Sequence, residues 1–313
     1  MTHFADKFTH AAQIKRTCAI VGIDPVYEKL PKPLTQRNNP NAPLDIEAAT
    51  DTIFEFCVKV LRIVAPLVPA VKINSAFFEK YHFEGVENYY SLIQEASHLG
   101  LLVIGDVKRG DIGTTAGAYA QGHLADHPSL NTDEYQTPDA VTINAFAGLD
   151  AITPFADIAH EEQKGVFVWI RPSNPSAAIL SDFTDANGKK FHELLAEQTA
   201  SIADQPHRIG NSGYSNIGMV VGGTTAKYTK SLRDKYPHTL FLVPGFGAQG
   251  ASAEDCMNFC KPDGSGALIA ASRSIIYAYQ NPKYNQQFPD NWEKCIEQAT
   301  LDMKTNLAQH LPK

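Results

Sequence analysis

No stretch of the chain approaches the roughly 18 consecutive apolar residues of a membrane-spanning helix, so none is expected. The opening residues, MTHFADKFTHAAQIKRT, have no apolar core, and no secretory leader is read in them. A basic block and a basic helix face are also missing. With 27 Lys and Arg against 34 Asp and Glu, the formal net charge is −7. That is the wrong sign for gripping nucleic acid or an acidic membrane surface. An anionic substrate would have to be met by local positive groups. Cysteines are few and odd in number: Cys18, Cys57, Cys256, Cys260 and Cys295, with no C-x-x-C spacing. Cys256 and Cys260 are four apart, which on a helix is one face. No His or Cys partner lies near them in sequence, so they are expected to be free thiols rather than metal ligands. Free thiols suit a reducing, cytoplasmic setting. The dinucleotide fingerprint G-x-G-x-x-G is absent as well, since the first strand runs into IVGIDPVYEK.

What is present is an ordinary globular composition. The 313 residues are 43% hydrophobic and 19% charged, enough for one large core. Helical spacing of Phe4, Phe8, Ala11 and Ala12 predicts a leading helix over 4–15. Apolar runs predict strands at 18–24, 69–74, 101–107, from 140, 165–171, 217–223, 239–247 and 266–273. Between them the pattern predicts helices at 45–65 (with Asp45 as N-cap), 85–99, 114–124, after Gly148, at 190–204 and at 225–235. The prolines and asparagines of 25–45 predict an irregular loop, and 174–190 reads as a mobile segment. Eight strands, most followed by a helix, match the outline of a (β/α)8 barrel, here a single domain over residues 1–313. A doubly wound sheet would show fewer strands and the missing glycine fingerprint.

In such a barrel, function lies at the C-terminal ends of the strands. Those ends carry Asp24, Lys72, Asp106 with Lys108, Asn144, Arg171 with Ser173, Gly222 and Gly223, Gly245 to Gln249, and Arg273. Any one of these alone would be an ordinary loop residue. Their recurrence at one end is hard to obtain from surface polarity. The last two strands end in PGFGAQG and AASRS. Exposed backbone N–H groups, a following helix N-terminus and the guanidinium fork of Arg273 suit a phosphate.

The second group is Lys72, Asp106, Lys108 and Asp111. Strand alternation points Asp106 and Lys108 the same way. The plain reading is a salt bridge at a strand end. A barrel lysine can instead form a Schiff base. A lysine flanked by carboxylates stays protonated, however, so it is a poor nucleophile and a good acid. It would stabilise and then protonate a carbanion. A buried Asp beside the substrate would repel a carboxylate there, a repulsion relieved when that group leaves as carbon dioxide.

Four motifs, in order along the chain, resemble a known family. They are V-K-I-N-x-A-F-F-E at 71–79, D-V-K-R-G-D-I at 106–112, V-P-G-F-G-A-Q-G at 243–250 and A-S-R-S-I-I-Y-A at 271–278. Together they resemble orotidine 5′-phosphate decarboxylase, and more narrowly its longer bacterial branch with Arg after the catalytic Lys. The resemblance implies a cofactor-free and metal-free barrel, acting as a homodimer, that makes uridine 5′-monophosphate. It implies Asp106 near the substrate carboxylate, Lys108 as proton donor to C6, and Lys72 and Asp111 completing the charged array. Asp24 and Thr115 would hold ribose hydroxyls, with Asp111 and Thr115 serving the partner chain's site. Ser173 would contact the pyrimidine, and Gln249 and Arg273 the phosphate. The region 174–216 would supply a closing loop. Two other readings remain at this point: a sugar-phosphate aldolase or epimerase on the same barrel, and a barrel that only binds a nucleotide.

Overall fold

The computed structural model describes residues 3–36, 45–126, 136–224, 229–247 and 250–311. Eight parallel strands close on themselves in sequence order: β1 (Ala19–Ile23), β2 (Ala70–Asn74), β3 (Leu102–Arg109), β4 (Ala140–Ile143), β5 (Gly165–Arg171), β6 (Ile217–Val221), β7 (Phe241–Pro244) and β8 (Ala267–Ala271). The ring is shut by β8 against β1, with Ala19 opposite Ile269. Around it run α1 (Phe4–Lys15), α2 (Ile46–Val64), α3 (His82–His98), α4 (Gly113–Leu124), α5 (Leu149–Glu161), α6 (Phe191–Ala203), α7 (Thr229–Lys235), α8 (Ala253–Met257) and α9 (Trp292–Gln309). This is the (β/α)8 barrel that the alternation of apolar runs predicts. Both faces of each strand are covered, which is why the strands lack the polar–apolar alternation of half-buried sheets.

The period of two sorts side chains into two cores. Val21, Val71, Val103, Val141 and Val166 face the helices. Ile20, Ala70, Ile104, Ala140, Phe167, Leu242 and Leu268 fill the barrel interior. The N-terminal mouth is plugged by α1. Phe4 packs edge-on against Phe167, with centroids 5.7 Å apart, and stacks on Phe8 at 6.1 Å. Gly165 makes the room, since a Cβ there would stand 2.8 Å from the Phe4 ring. With the barrel interior closed at that end, it opens only at the C-terminal end of the strands.

Several expectations change in detail. Asp45 occupies the N-cap position of α2, but its side chain makes no capping hydrogen bond. The 25–45 loop contains a 3-10 turn at Tyr27–Lys29 and one helical turn at Lys32–Thr35, while 37–44 lie outside the described residues. The helix after β6 begins at Thr229, and 225–228 also lie outside. The segment 174–190 is built rather than featureless. It holds turns at Pro175–Ala177 and Ala178–Ser181 and an antiparallel bridge between Thr184 and Lys190. The helix over Ala253–Met257 stops before Cys260, so Cys256 and Cys260 do not share a helix face. No helix among the described residues is long and apolar enough to cross a membrane.

Candidate active site

The centre of the site is the Asp106 carboxylate, 7% exposed at the end of β3. Pairing of β2 with β3 sets Asn74 opposite Asp106, and Lys72, two residues earlier, shares its inward face. Lys72 Nζ donates to Asp106 Oδ2. Lys108 Nζ donates to Oδ1 at 2.6 Å, and Thr142 Oγ1 donates to the same oxygen at 2.9 Å. Thr142 Oγ1 also accepts the Lys108 backbone N–H at 3.1 Å. Burial works against ionised Asp106, but Lys72 and then Lys108 overcome it and hold the carboxyl well below its usual range. Burial likewise opposes a charged Lys72, yet Asp106 and then Asp24 push its pKa up. Each buried charge is tolerated only because the others are there.

Lys108 does not reach this position by simple alternation. The β3–β4 register jumps from Gly105↔Val141 to Arg109↔Ile143, so β3 bulges across Asp106–Lys108. Lys108 itself has φ +46°, a left-handed conformation costly for a side-chain-bearing residue. Thr142 and the Asp106 ion pair hold it there. Arg109, the next residue, ion-pairs Glu79 at 2.6 Å and so ties the end of β3 to the turn after β2. Below Lys108, the Trp169 ring lies 5.8 Å from Nζ, within cation–π range.

Above the array is a cavity of about 230 Å³. Lys72, Asp106, Lys108, Asp24, Ser173 and Arg273 all line it, as the strand-end reading expects. Asp24 Oδ1 and Ser272 Oγ are buried in its neighbourhood without a hydrogen-bond partner among the described residues. Such atoms belong where a polar ligand supplies the bond. On one wall, Gly245, Phe246 and Arg273 come together. Gly245 has φ +109°, which a residue with a Cβ rarely adopts, so the turn after β7 needs glycine there. Arg273 is exposed and makes no ion pair with any described residue. The helix beyond it is a single turn, Arg273–Ile276, so the expected helix N-terminus adds little and the guanidinium is the main positive group on that wall. Gln249 lies outside the described residues.

Asp111 and Thr115 do not line this cavity. The chain leaves β3 at Arg109 and turns over the rim, where Asp111 Oδ1 accepts the Ile112 N–H at 2.8 Å and Thr115 is exposed. Two further strand-end residues also point elsewhere. Asn144 Oδ1 accepts the Phe146 N–H at 3.0 Å. Arg171 would face inward by alternation, but β5 slips by one residue against β6 between Trp169 and Arg171. Arg171 instead ion-pairs Asp182 through two bonds of 2.9 and 3.1 Å, pinning the segment after β5 beside the cavity.

The sequence model of the orotidine 5′-phosphate decarboxylase / HUMPS family matches residues 38–286. A protein of Rhodopirellula baltica named orotidine 5′-phosphate decarboxylase is 34% identical over 311 residues, covering 98% of this chain and 99% of its own. The chain belongs to this family. A second relative of the same name, from Caldicellulosiruptor saccharolyticus, is 34% identical over 308 residues, covering 98% of each chain. Among solved structures, Plasmodium berghei orotidine 5′-monophosphate decarboxylase superposes with a TM-score of 0.74. It is 20% identical and covers 98% of this chain and all of that one, so its likeness concerns the fold.

Family motifs carry the array and Arg273 and also contain Asn74 and Ser272, to which the resemblance assigns no role, whereas Thr142 and Trp169 lie outside them; all four also shape the site. A signal for Thr142 existed, since it is the one polar residue of AVTI in β4. Trp169 and Asn74 share the inward parity of Phe167 and Lys72. Strand parity carried above the apolar layer would have found all three.

Proposed function

We propose that this protein decarboxylates orotidine 5′-phosphate to uridine 5′-monophosphate, a step of pyrimidine biosynthesis, without a cofactor or metal. The observation that carries the reading is an ionised carboxylate clamped between two lysines at the base of a cavity whose wall holds Arg273. Arg273 and Gln249 bind the phosphate, Asp24 and Thr115 the ribose hydroxyls, and Ser173 the pyrimidine. The substrate carboxylate is set beside Asp106. The C6–carboxyl bond breaks, carbon dioxide leaves, and the electron pair stays on C6 under the field of the Lys108 ammonium. Lys108 then gives C6 a proton and recovers one from solvent. Lys72 holds Asp106 ionised and in place. A Schiff-base aldolase is disfavoured because Asp106 pushes the Lys72 pKa up, and an ammonium cannot attack a carbonyl.

The direct test is turnover of orotidine 5′-phosphate by purified, chelator-treated protein, followed as loss of pyrimidine absorbance. Turnover is expected. A folded protein that leaves the absorbance unchanged sinks the reading.

The protein is further proposed to be a cytoplasmic homodimer, each chain one barrel domain over residues 1–313, with Asp111 and Thr115 entering the partner's site. Support comes from their position on an exposed rim that also carries Ile112, 53% exposed. Chains bearing Lys108→Ala and Asp111→Ala should each be inactive alone. Mixed, they should regain up to about a quarter of wild-type activity, because one site of a heterodimer escapes both changes. No recovery on subunit exchange would mean that the site is not shared.

A further inference from the structure

At the opposite end of the barrel from the charged array, three sulfurs meet. Cys18 precedes β1, Met257 closes α8, and Cys260 lies in the turn beyond. Cys18 Sγ is 3.8 Å from Met257 Sδ and 3.9 Å from Cys260 Sγ, and Cys260 Sγ is 4.0 Å from Met257 Sδ. The triangle is nearly equilateral, and its centre lies about 2.3 Å from each sulfur. A metal–thiolate bond is ~2.3 Å long. All three residues are buried, but Cys18 and Met257 also line a second cavity of about 380 Å³ between α1, α9 and the start of β8, which gives an ion a way in. The partner of Cys260 is therefore 242 residues away in sequence. Cys256 is turned aside, its Sγ lying against Gly223.

The donor set decides the class of ion. Among the described residues no group of three His, Cys, Asp or Glu forms a metal site, so a tetrahedral zinc site is not available. Two thiols and a thioether are soft donors, which select Cu(I). Two thiolates on Cu(I) carry a net charge of −1. Arg233 lies within electrostatic reach of Cys260. It is buried, donates to the carbonyl oxygens of Thr239, Gly266 and Tyr236, and has no carboxylate partner among the described residues. Its uncompensated positive charge would balance a loaded site.

We propose that Cys18, Met257 and Cys260 form a trigonal site for one Cu(I) ion, bound with release of the two thiol protons. Because each thiol must give up its proton to bind the ion, binding tightens as pH rises. This site is independent of the decarboxylase reading.

The test is an anaerobic titration of the reduced full-length protein with Cu(I) against a chromophoric Cu(I) chelator, with X-ray absorption on the loaded form. One equivalent and a sulfur-only shell are expected. Cys260→Ala and Met257→Leu should each weaken binding at least as much as loss of an outer-shell partner does, ~10–100-fold, and Cys57→Ser should leave it unchanged. Met257→Leu nearly preserves core volume, so it reports even if Cys260→Ala fails to fold. The proposal is overturned if the chelator keeps all the copper. It is overturned equally by binding that neither substitution weakens, or by a shell containing nitrogen or oxygen.

Discussion

Lys108→Ala is expected to lower turnover of orotidine 5′-phosphate by a factor on the order of 10⁴ or more, while uridine 5′-monophosphate still binds within about tenfold. The size follows from two losses at once. A positioned proton donor contributes ~10²–10⁴-fold. A preorganised charge facing the developing carbanion contributes ~10²–10³-fold. Neither acts on the ground-state nucleotide, which in the proposed site is anchored at the Arg273 wall. The fold should survive, because Asp106 keeps Lys72 and Thr142 as partners. Steady-state kinetics and product titration on the same preparation separate the two effects. A near-normal kcat would falsify the proton-donor role, and a matched loss of nucleotide binding would assign Lys108 to anchoring instead.

Asp106→Ala should damage both activity and stability. Removing one partner of a buried ion pair costs about 3–5 kcal/mol, because the other charge is left uncompensated. Lys72, itself 7% exposed, is that charge. The pH dependence carries the signature. In the wild type, the Lys72 pKa is raised, so its stabilisation is present below the unfolded value of about 10.4 and is lost as pH rises through the folded value. The Asp106 pKa is lowered, so its contribution is present above about 3.9 and is lost as pH falls through the folded value. In Asp106→Ala, burial, the largest influence on Lys72, is opposed only by the weaker pull of Asp24 and should instead depress the Lys72 pKa. The folded state then binds fewer protons than the unfolded state, and stability should rise from pH 7 toward 10. Denaturant unfolding at pH 7 and pH 9.5 reads this directly. A variant whose stability stays flat or falls over that interval, in which the wild-type Lys72 contribution should stay constant, contradicts the assignment of Lys72 as a buried, Asp106-dependent cation.

Much of the barrel and its charged end was legible along the chain, because both are written locally. An apolar run that ends in a charge marks a buried strand and its open end without reference to any other strand. Eight such runs specify the ring, and the residues at their ends name Lys72, Asp106, Lys108, Asp24, Ser173 and Arg273. What depends on register is different. The bulge that sets Lys108 at φ +46° and the slip that turns Arg171 outward exist only once β3 meets β4 and β5 meets β6. Thr142 becomes a ligand of Asp106 only through the same pairing.

The sequence by itself determined the eightfold alternation, the polar strand ends and the family, because periodicity and motif are short-range properties of the chain. Only the tertiary structure decided which strand-end residues converge. Asp106 is held from two strands and supported from a third, whereas Asp111 and Thr115 sit on the rim outside the cavity. It likewise brought Cys18 beside Cys260 across 242 residues. The physical reason is ring closure. Pairing β8 with β1 brings the first and last strands of the chain into contact, and no local pattern of residues encodes the distances that result.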